Sequence, residues 1–451
     1  MTDGMGFAAV RGMIRMLLAV FYRRIEVIGA ERIPDRGGLI VAANHHNSLV
    51  DAMILLAVVP RRLRTLAKAQ LFDHPLIGPF LRLLGALPVH RRQEAGDDPL
   101  KNESLFAETT RTLRQGGGII IFPEGRTQPE PVLLELRTGT ARMLLAARPA
   151  EVTLLPAGLV FEKPGIFREG RALVLFGEPV PVQECCAFAL SQPQAAARKL
   201  TELLTRSLRE LIVEAQDLET LGLLELAEGI WGSPGGAPRA PVQRVRWLQR
   251  AADAYQRLLQ RAPERLEQYV RRLQSFAADL EAAGLTVAAL AQQRSAGRAV
   301  RFALRQAFAL LVGAPLAACG FLIHGVPYAL VVVALAWIPH TAEEEATDKM
   351  AAGLVLYPLF WCLEGWLLWH YGGAVALAIF IALLVPAGFV ALSWRARIAR
   401  VGREVRGLAR ALREPGVLAR LRGERDQLLQ ELKELALLSD ALSRGNSEMT
   451  R

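Results

Sequence analysis

The chain has 451 residues, a formal net charge of +10 and 52% hydrophobic residues, with a mean hydropathy of +0.23. It is long enough for two or three domains and too apolar for an ordinary soluble protein, so part of it is expected in a bilayer. The basic excess suits an anionic membrane surface or phosphorylated substrates; with no aromatic-interleaved basic run and no zinc-finger spacing, no nucleic-acid partner is expected.

In chain order, residues 5–22 form an apolar stretch carrying Arg11 and Arg15 at i, i+4 and followed by Arg23 and Arg24. No small-residue cleavage site appears, so residues 1–23 read as an interfacial helix rather than a signal peptide. Residues 24–29 and 38–43 read as a strand pair. An apolar helix over 51–59 follows, and further strands are predicted at 87–90, 118–122, 152–159 and 172–176, with helical patterns between most of them. That alternation predicts an α/β fold over residues 24–215, a mixed or largely parallel sheet flanked by helices.

Two polar blocks stand out. They are Asn44-His45-His46-Asn47-Ser48-Leu49-Val50-Asp51 and Ile121-Phe122-Pro123-Glu124-Gly125-Arg126-Thr127. Each closes an apolar, β-rich run, so each is expected to project polar side chains from the carboxyl end of a buried strand, where open α/β sheets place their chemistry. A histidine and a carboxylate a few residues apart supply a base and its orienter. A tight Gly turn between Glu and Arg suits an anion.

Beyond residue 183 the strands stop. Helical periodicity fills 216–300, interrupted by a Pro/Gly linker at 233–241. From Gln306 to Pro339 there is no Asp, Glu, Lys or Arg, and as one helix this stretch is about 50 Å long against a bilayer core of about 30 Å. His324-Gly325-Val326-Pro327 is therefore expected to break it into two short membrane segments. An acidic loop (Glu343, Glu344, Glu345, Asp348), a segment at 350–369 interrupted by Glu364, and a segment at 374–394 complete a membrane region over 301–396. A carboxylate such as Glu364 in an apolar segment is costly, so it is either functional or close to a helix end. Arg301 and Arg305 flank the entry and Arg395, Arg397 and Arg400 the exit. By the positive-inside rule both ends are cytoplasmic and the crossings even in number, two hairpins being favoured. Residues 397–451 read as a cytoplasmic helical tail.

Cys185, Cys186, Cys319 and Cys362 have neither metal-ligand nor disulfide-framework spacing, and the seven histidines show no His-Glu-x-x-His pattern. Reduced thiols, no metal site and acid–base work for histidine are expected.

Together the two polar blocks resemble the glycerophosphate and lysophosphatidate acyltransferase superfamily, marked by His-x4-Asp followed by Phe-Pro-Glu-Gly. Gly85-Ala86-Leu87-Pro88-Val89-His90-Arg91 looks like the family's second motif and Val152-Thr153-Leu154-Leu155-Pro156-Ala157-Gly158 like its fourth. The resemblance implies a general-base His and an orienting Asp51. Counting back from Asp51, His46 keeps the four-residue gap; counting forward from Asn44, the block looks like a branch with one extra residue, which makes His45 the match. Both stay open. The resemblance carries Glu124, Gly125 and Arg126 over as the acceptor-binding block and Arg91 as a second phosphate clamp, with Lys68 and Arg137 as weaker candidates. Pro156 is carried over on the acyl-donor side, a strand-ending proline being equally compatible.

The implied activity is transfer of an acyl group from acyl-CoA, a co-substrate rather than a bound cofactor, to the hydroxyl of glycerol 3-phosphate. Alternatives are a lysophosphatidate or lysophospholipid acceptor, or, in a different class, a catalytically silent lipid-binding scaffold. The C-terminal membrane region resembles a long branch of the family, implying an integral protein of the cytoplasmic membrane with its catalytic domain inside.

Overall fold

The computed structural model describes residues 2–73, 77–90, 99–147, 151–162, 167, 170–232, 240–287, 290, 296–337, 345–413 and 415–449. The chain divides into two compact units, Met1–Ile212 with Val331–Val355, and Val213–Leu330 with Leu356–Arg451.

The first unit contains a seven-stranded sheet of β1 (Arg24–Ile28), β2 (Gly38–Ala43), β3 (Leu63–Lys68), β4 (Leu87–Val89), β5 (Gly118–Ile121), β6 (Val152–Glu162) and β7 (Arg171–Phe176). Its helices are α1 (Thr2–Phe21), α2 (Ser48–Val58), α3 (Ile77–Leu83), α4 (Pro99–Arg114), α5 (Gly139–Ala146), α6 (Gln183–Phe188) and α7 (Pro193–Arg209). The strand order is β1-β7-β6-β2-β5-β3-β4. Strands β6, β2, β5, β3 and β4 run parallel, β7 is antiparallel to β6, and β1 is parallel to β7. This is the mixed α/β sheet that the sequence predicts.

Strands β1 and β2, expected as a pair, do not touch: β1 lies beside β7, while β2 lies between β6 and β5. All six residues of β2 are buried. Leu39, Val41 and Ala43 enter one core and Ile40 and Ala42 the other, and a strand apolar on both faces belongs in the middle of a sheet. Strand β1, with Arg24 and Val27 exposed, takes an edge. Strand β3 is missing from the sequence-based reading because Arg64, Thr65 and Lys68 blur its alternation. Arg64 is accommodated by partners: its Nη1 meets Glu108 Oε1 at 2.6 Å and its Nε donates to the Gly85 carbonyl at 2.7 Å.

Helix α1 places Phe7, Val10, Ile14, Leu18 and Phe21 in the core shared with α2 and β2. Their spacing of three and four residues is the stripe of an amphipathic helix, and each such burial contributes about 1.5–3 kcal/mol. Arg11 and Arg15 turn to α2, donating to carbonyls of Ala57 and Val59, so they satisfy the open end of that helix.

The rest is helical: α8 (Leu218–Trp231), α9 (Pro241–Arg261), α10 (Pro263–Ala283), α11 (Ala296–Trp337), α12 (Glu345–Arg413) and α13 (Pro415–Met449). Helices α8, α9, α10 and α13 share one core, in which Leu421, Leu428 and Leu435 of α13 meet Leu258 of α9 and Leu266, Leu273 and Phe276 of α10. The seven-residue spacing on α13 is a heptad seam. The C-terminal tail therefore belongs to the same bundle as the helices that precede the apolar region. Of the linker, residues 233–239 lie outside the described residues.

Helix α11 runs unbroken through Pro315 and Pro327, so the expected break at His324–Pro327 is absent and the two-hairpin arrangement loses its first turn. A helix interior tolerates proline at a cost of about 3 kcal/mol; in apolar surroundings, opening the helix to expose several unpaired backbone groups costs more. Helix α12 does break, at Gly373 (φ 69°, ψ −167°), between the two predicted segments. Leu304–Trp337 and Thr347–Ala399 are long and apolar enough to cross a membrane. His324 Nε2 donates to the Leu384 carbonyl at 2.9 Å, and Glu364 Oε2 is buried without a hydrogen-bond partner among the described residues.

Candidate active site

The parallel strands β2, β5, β3 and β4 end on one edge of the sheet, bringing Asn44 to Asp51, Phe122 to Thr127, Lys68 and His90 to the same side. Arg91 lies outside the described residues.

Asn44, fully buried at the end of β2, grips the neighbouring strand with its side chain: Nδ2 donates to the Leu159 carbonyl at 2.9 Å and Oδ1 accepts from the Leu159 N–H at 2.7 Å. The chain then turns into α2 through Ser48 at φ +46°, a left-handed conformation uncommon outside glycine. The turn aims three donors at one oxygen. Asp51 Oδ2 accepts from His45 Nδ1 at 2.8 Å, from the His46 backbone N–H at 2.9 Å and from the Asn47 backbone N–H at 2.8 Å. Asp51 is fully buried, and its Oδ1 has no partner among the described residues.

The structure separates the two histidines. The His45 ring reaches Asp51; the His46 ring instead meets the Gln128 carbonyl through Nδ1 at 3.1 Å. An ionised carboxylate only accepts hydrogen bonds, so His45 carries its proton on Nδ1 and presents the Nε2 lone pair outward. The His45 ring stacks on Phe122 with centroids 4.0 Å apart and planes 14° apart, which fixes its plane.

Glu124 is 3% exposed, and both its oxygens are taken by the backbone: Oε1 accepts from the His45 N–H at 2.8 Å and Oε2 from the Leu134 N–H at 3.0 Å. It thus ties the two polar blocks together through backbone contacts. Burial pushes its carboxyl above the usual range, against the pull of the two N–H donors and the nearby imidazoles.

Gly125, at φ +71°, is followed by the exposed Arg126. A Cβ on Gly125 would lie 2.8 Å from Arg137 Nε, so the glycine leaves room for the Arg137 side chain against the turn. The Arg137 backbone N–H also bonds the Pro123 carbonyl at 2.8 Å. Arg126 and Arg137 are both exposed and have no acidic partner among the described residues. Lys68, half-buried, ends β3 in register with Val89.

Pro156 does not end its strand. It sits inside β6, in register with Ala42 of β2, and its carbonyl accepts from Gly177 N–H on the opposite edge. The N–H that proline lacks would point to that same edge, just before the β7 ladder begins at Ala157, so no ladder bond is lost.

The sequence-based reading missed Tyr22, the residue closing α1. Its hydroxyl accepts from Asn47 Nδ2 at 2.8 Å. Burial first, and the Asp51 charge second, raise its ionisation well above the usual phenol range, so it is a neutral O–H. No local sequence signal marks it, since the contact spans 25 residues.

Residues 24–160 match the Acyltransferase family model. An uncharacterized acyltransferase of Schizosaccharomyces pombe is 24% identical over 309 residues, covering 49% of this chain and 46% of that protein. The 1-acyl-sn-glycerol-3-phosphate acyltransferase of Bacillus subtilis is 28% identical over 190 residues, 42% of this chain and 87% of its own length. The glycerol-3-phosphate O-acyltransferase 2 of Saccharomyces cerevisiae is 30% identical over 139 residues, 30% of this chain and 19% of its own length. The chain thus spans about half of the fission yeast relative and a fifth of the budding yeast one. The residues matched by that family model contain both polar blocks and all of the strand ends described above.

Proposed function

We propose that the chain is a membrane-bound acyltransferase that moves a fatty acyl group from acyl-CoA to the hydroxyl of glycerol 3-phosphate. The observation that carries this is the 2.8 Å contact of His45 Nδ1 with buried Asp51, with Nε2 free of partners among the described residues. In this reading His45 Nε2 takes the proton of the acceptor hydroxyl as it attacks the thioester carbonyl, and Asp51 stabilises the imidazolium that forms. A thiolate with a conjugate pKa of about 8.5 leaves without strong acid help, so no second acid and no serine nucleophile is required. Arg126 and Arg137 offer guanidinium forks to the acceptor phosphate, with Arg91 and Lys68 as further candidates, and Pro156 remains on the donor side.

The lysophosphatidate alternative presents the same phosphate to the same arginines, and the name of the Bacillus subtilis relative favours it. A silent scaffold is disfavoured by the intact dyad. The test is an assay of the full-length protein in nanodiscs with labelled acyl-CoA against glycerol 3-phosphate, lysophosphatidate and other lysophospholipids. Acylation of glycerol 3-phosphate supports the leading reading, acylation of lysophosphatidate alone replaces it with the alternative, and no acylation of any acceptor overturns both.

The same reading places the protein in the cytoplasmic membrane with the acyltransferase domain inside. Helices on both sides of the apolar stretch share one core, which supports entry and exit on a single face. The Arg flanks favour the cytoplasm as that face. Release of the protein by alkaline carbonate, or a C-terminal reporter active only outside, would overturn this placement.

A further inference from the structure

The middle and C-terminal half of α1 (Thr2–Phe21) are anchored to both ends of α2. From mid-helix, Arg15 Nε donates to the Ala57 carbonyl at 3.0 Å and Arg11 Nη2 to the carbonyls of Ala57, at 3.3 Å, and Val59. These lie at the carboxyl end of α2. At the other end, the Tyr22 hydroxyl holds Asn47, the residue preceding α2. From Arg11 to Tyr22 is eleven residues, about 16 Å of helix, and from Asn47 to Val58 is also eleven residues, about 16 Å. The two spans match, and between them Val10, Ile14 and Leu18 of α1 and Val50, Ile54 and Ala57 of α2 share the same core.

We propose that α1 splints the helix that carries Asp51, and that Tyr22 is a positioning residue for the His45–Asp51 pair, acting through Asn47. The proposal rests on the general-base reading above. Asn47 is the link because it makes both contacts: Nδ2 donates to Tyr22, and the backbone N–H donates to Asp51 Oδ2 at 2.8 Å. With the Tyr22 hydroxyl in place, Asn47 is fixed in the turn that also carries the His46 N–H and the His45 ring to the same oxygen. Without it the turn through Ser48 relaxes, the carboxylate keeps fewer of its donors in line, and the imidazole plane is less well held for proton transfer. A loss of alignment of this kind acts on the chemical step, not on ground-state substrate binding.

Tyr22→Phe isolates the hydroxyl, because the ring still packs beside Phe21 and Phe161. Using full-length protein in nanodiscs, labelled palmitoyl-CoA and whichever acceptor the wild type acylates, kcat is expected to fall about five- to tenfold, with both KM values within about twofold. The unfolding midpoint should fall modestly, because the buried Asn47 Nδ2 loses its acceptor, so kcat is taken per folded molecule. Asn47→Ala approaches the same link from its other side and should give a similar loss, with the double variant no worse than either single one, as for residues in one chain of contacts. Wild-type kcat in Tyr22→Phe, or additive losses in the double variant, would overturn the proposal. So would a fall in kcat fully matched by a fall in the folded fraction. Asp51→Asn separates the two readings. If it keeps turnover, the dyad reading itself fails; if it is inactive while Tyr22→Phe is fully active, only the role of Tyr22 is lost.

Discussion

The sheet unit and the helical unit use buried polar groups differently. In the sheet unit Asn44, Asn47 and Glu124 are each 3% exposed or less, and the side chain of each is tied to a residue at least 25 positions away. In the bundle of α8, α9, α10 and α13 the interior is mainly aliphatic and aromatic, with Thr220 and Ser439 as buried polar residues, Ser439 accepting from Arg257 Nε at 2.9 Å, while ion pairs such as Arg420 with Asp279 and Arg265 with Glu434 lie at its surface. A parallel sheet delivers the ends of distant strands to one edge, so polar groups from separate parts of the chain can complete one another. A bundle assembled on a heptad seam needs only matching apolar stripes. The residues of the proposed site concentrate in the first arrangement, and apolar packing describes most of the second.

The contrast breaks most visibly at the dyad. His45→Ala or Asp51→Ala should lower turnover by about 10²–10⁴, the usual worth of a positioned general base. His46→Ala should cost far less, because its ring meets a backbone carbonyl and only its N–H, which alanine retains, serves Asp51. Steady-state kinetics of the three variants decide it, and equal losses for His45 and His46 would remove the distinction that the geometry draws between them.

In the bundle the expected effect is one of stability only. Leu428→Ala removes a fully packed seam residue, 1% exposed, and should destabilise the bundle by about 2–5 kcal/mol, the range for Leu→Ala in a core. Turnover per folded molecule should stay unchanged. Denaturant melts beside active-site-normalised kinetics test this; a loss of kcat in the folded fraction would show that the two units are not functionally separate.

Glu124→Gln probes the sheet unit without touching the proton-transfer atoms. The amide supplies one acceptor oxygen where the carboxylate supplies two, so either the His45 or the Leu134 N–H is left unpaired, at a cost of about 1–3 kcal/mol. The pH dependence sharpens the test. Since burial raises the Glu124 carboxyl in the folded state, the folded form binds its proton more tightly than the unfolded form. Its contribution is therefore most favourable below the usual carboxylate range and declines as pH rises from there to the raised value. Melting curves of wild type should show that decline and those of Glu124→Gln should not.

How much of this was legible in the residues divides along the same line. The sheet, the polar blocks and their placement at one edge follow from apolar runs closed by His, Glu and Arg, which is local information. The choice between His45 and His46 does not, because it depends on a left-handed Ser48 and on a backbone carbonyl at Gln128. The backbone contacts of Glu124 are equally invisible in the sequence, because its two N–H partners lie 79 and 10 residues away. Strand β3 was hidden by Arg64, whose partners Gly85 and Glu108 come from elsewhere in the chain. Continuity of α11 through Pro327 is not readable locally either, because a proline that breaks a helix in water is tolerated where open backbone groups would cost more. The joining of α13 to α8, α9 and α10 was open to inspection in the leucine spacing, yet a heptad stripe does not name its partner.

The smallest expected effect lies at the start of α8, where the helical unit does use a polar side chain. Asp217 precedes the helix with extended backbone, and its Oδ1 accepts from the Thr220 N–H at 2.7 Å. This satisfies one of the donors a helix leaves open at its first turn. Unlike Glu124 it is solvated, and the backbone bond from Thr220 holds its carboxyl below the usual range. The linkage therefore runs the opposite way: the contribution is complete above the ordinary carboxylate range and is lost as pH falls through the depressed value. Asp217→Asn keeps the accepting oxygen and discards the charge, so it should remove the pH dependence while keeping most of the cap; Asp217→Ala should remove both. Hydrogen exchange of the first-turn amides of α8 in the full-length protein reads this directly. Faster exchange in Asp217→Ala alone at neutral pH, with wild type approaching Asp217→Asn in acid, is the expected pattern. Equal exchange in all three proteins would show that the bundle core, and not the cap, holds that turn closed.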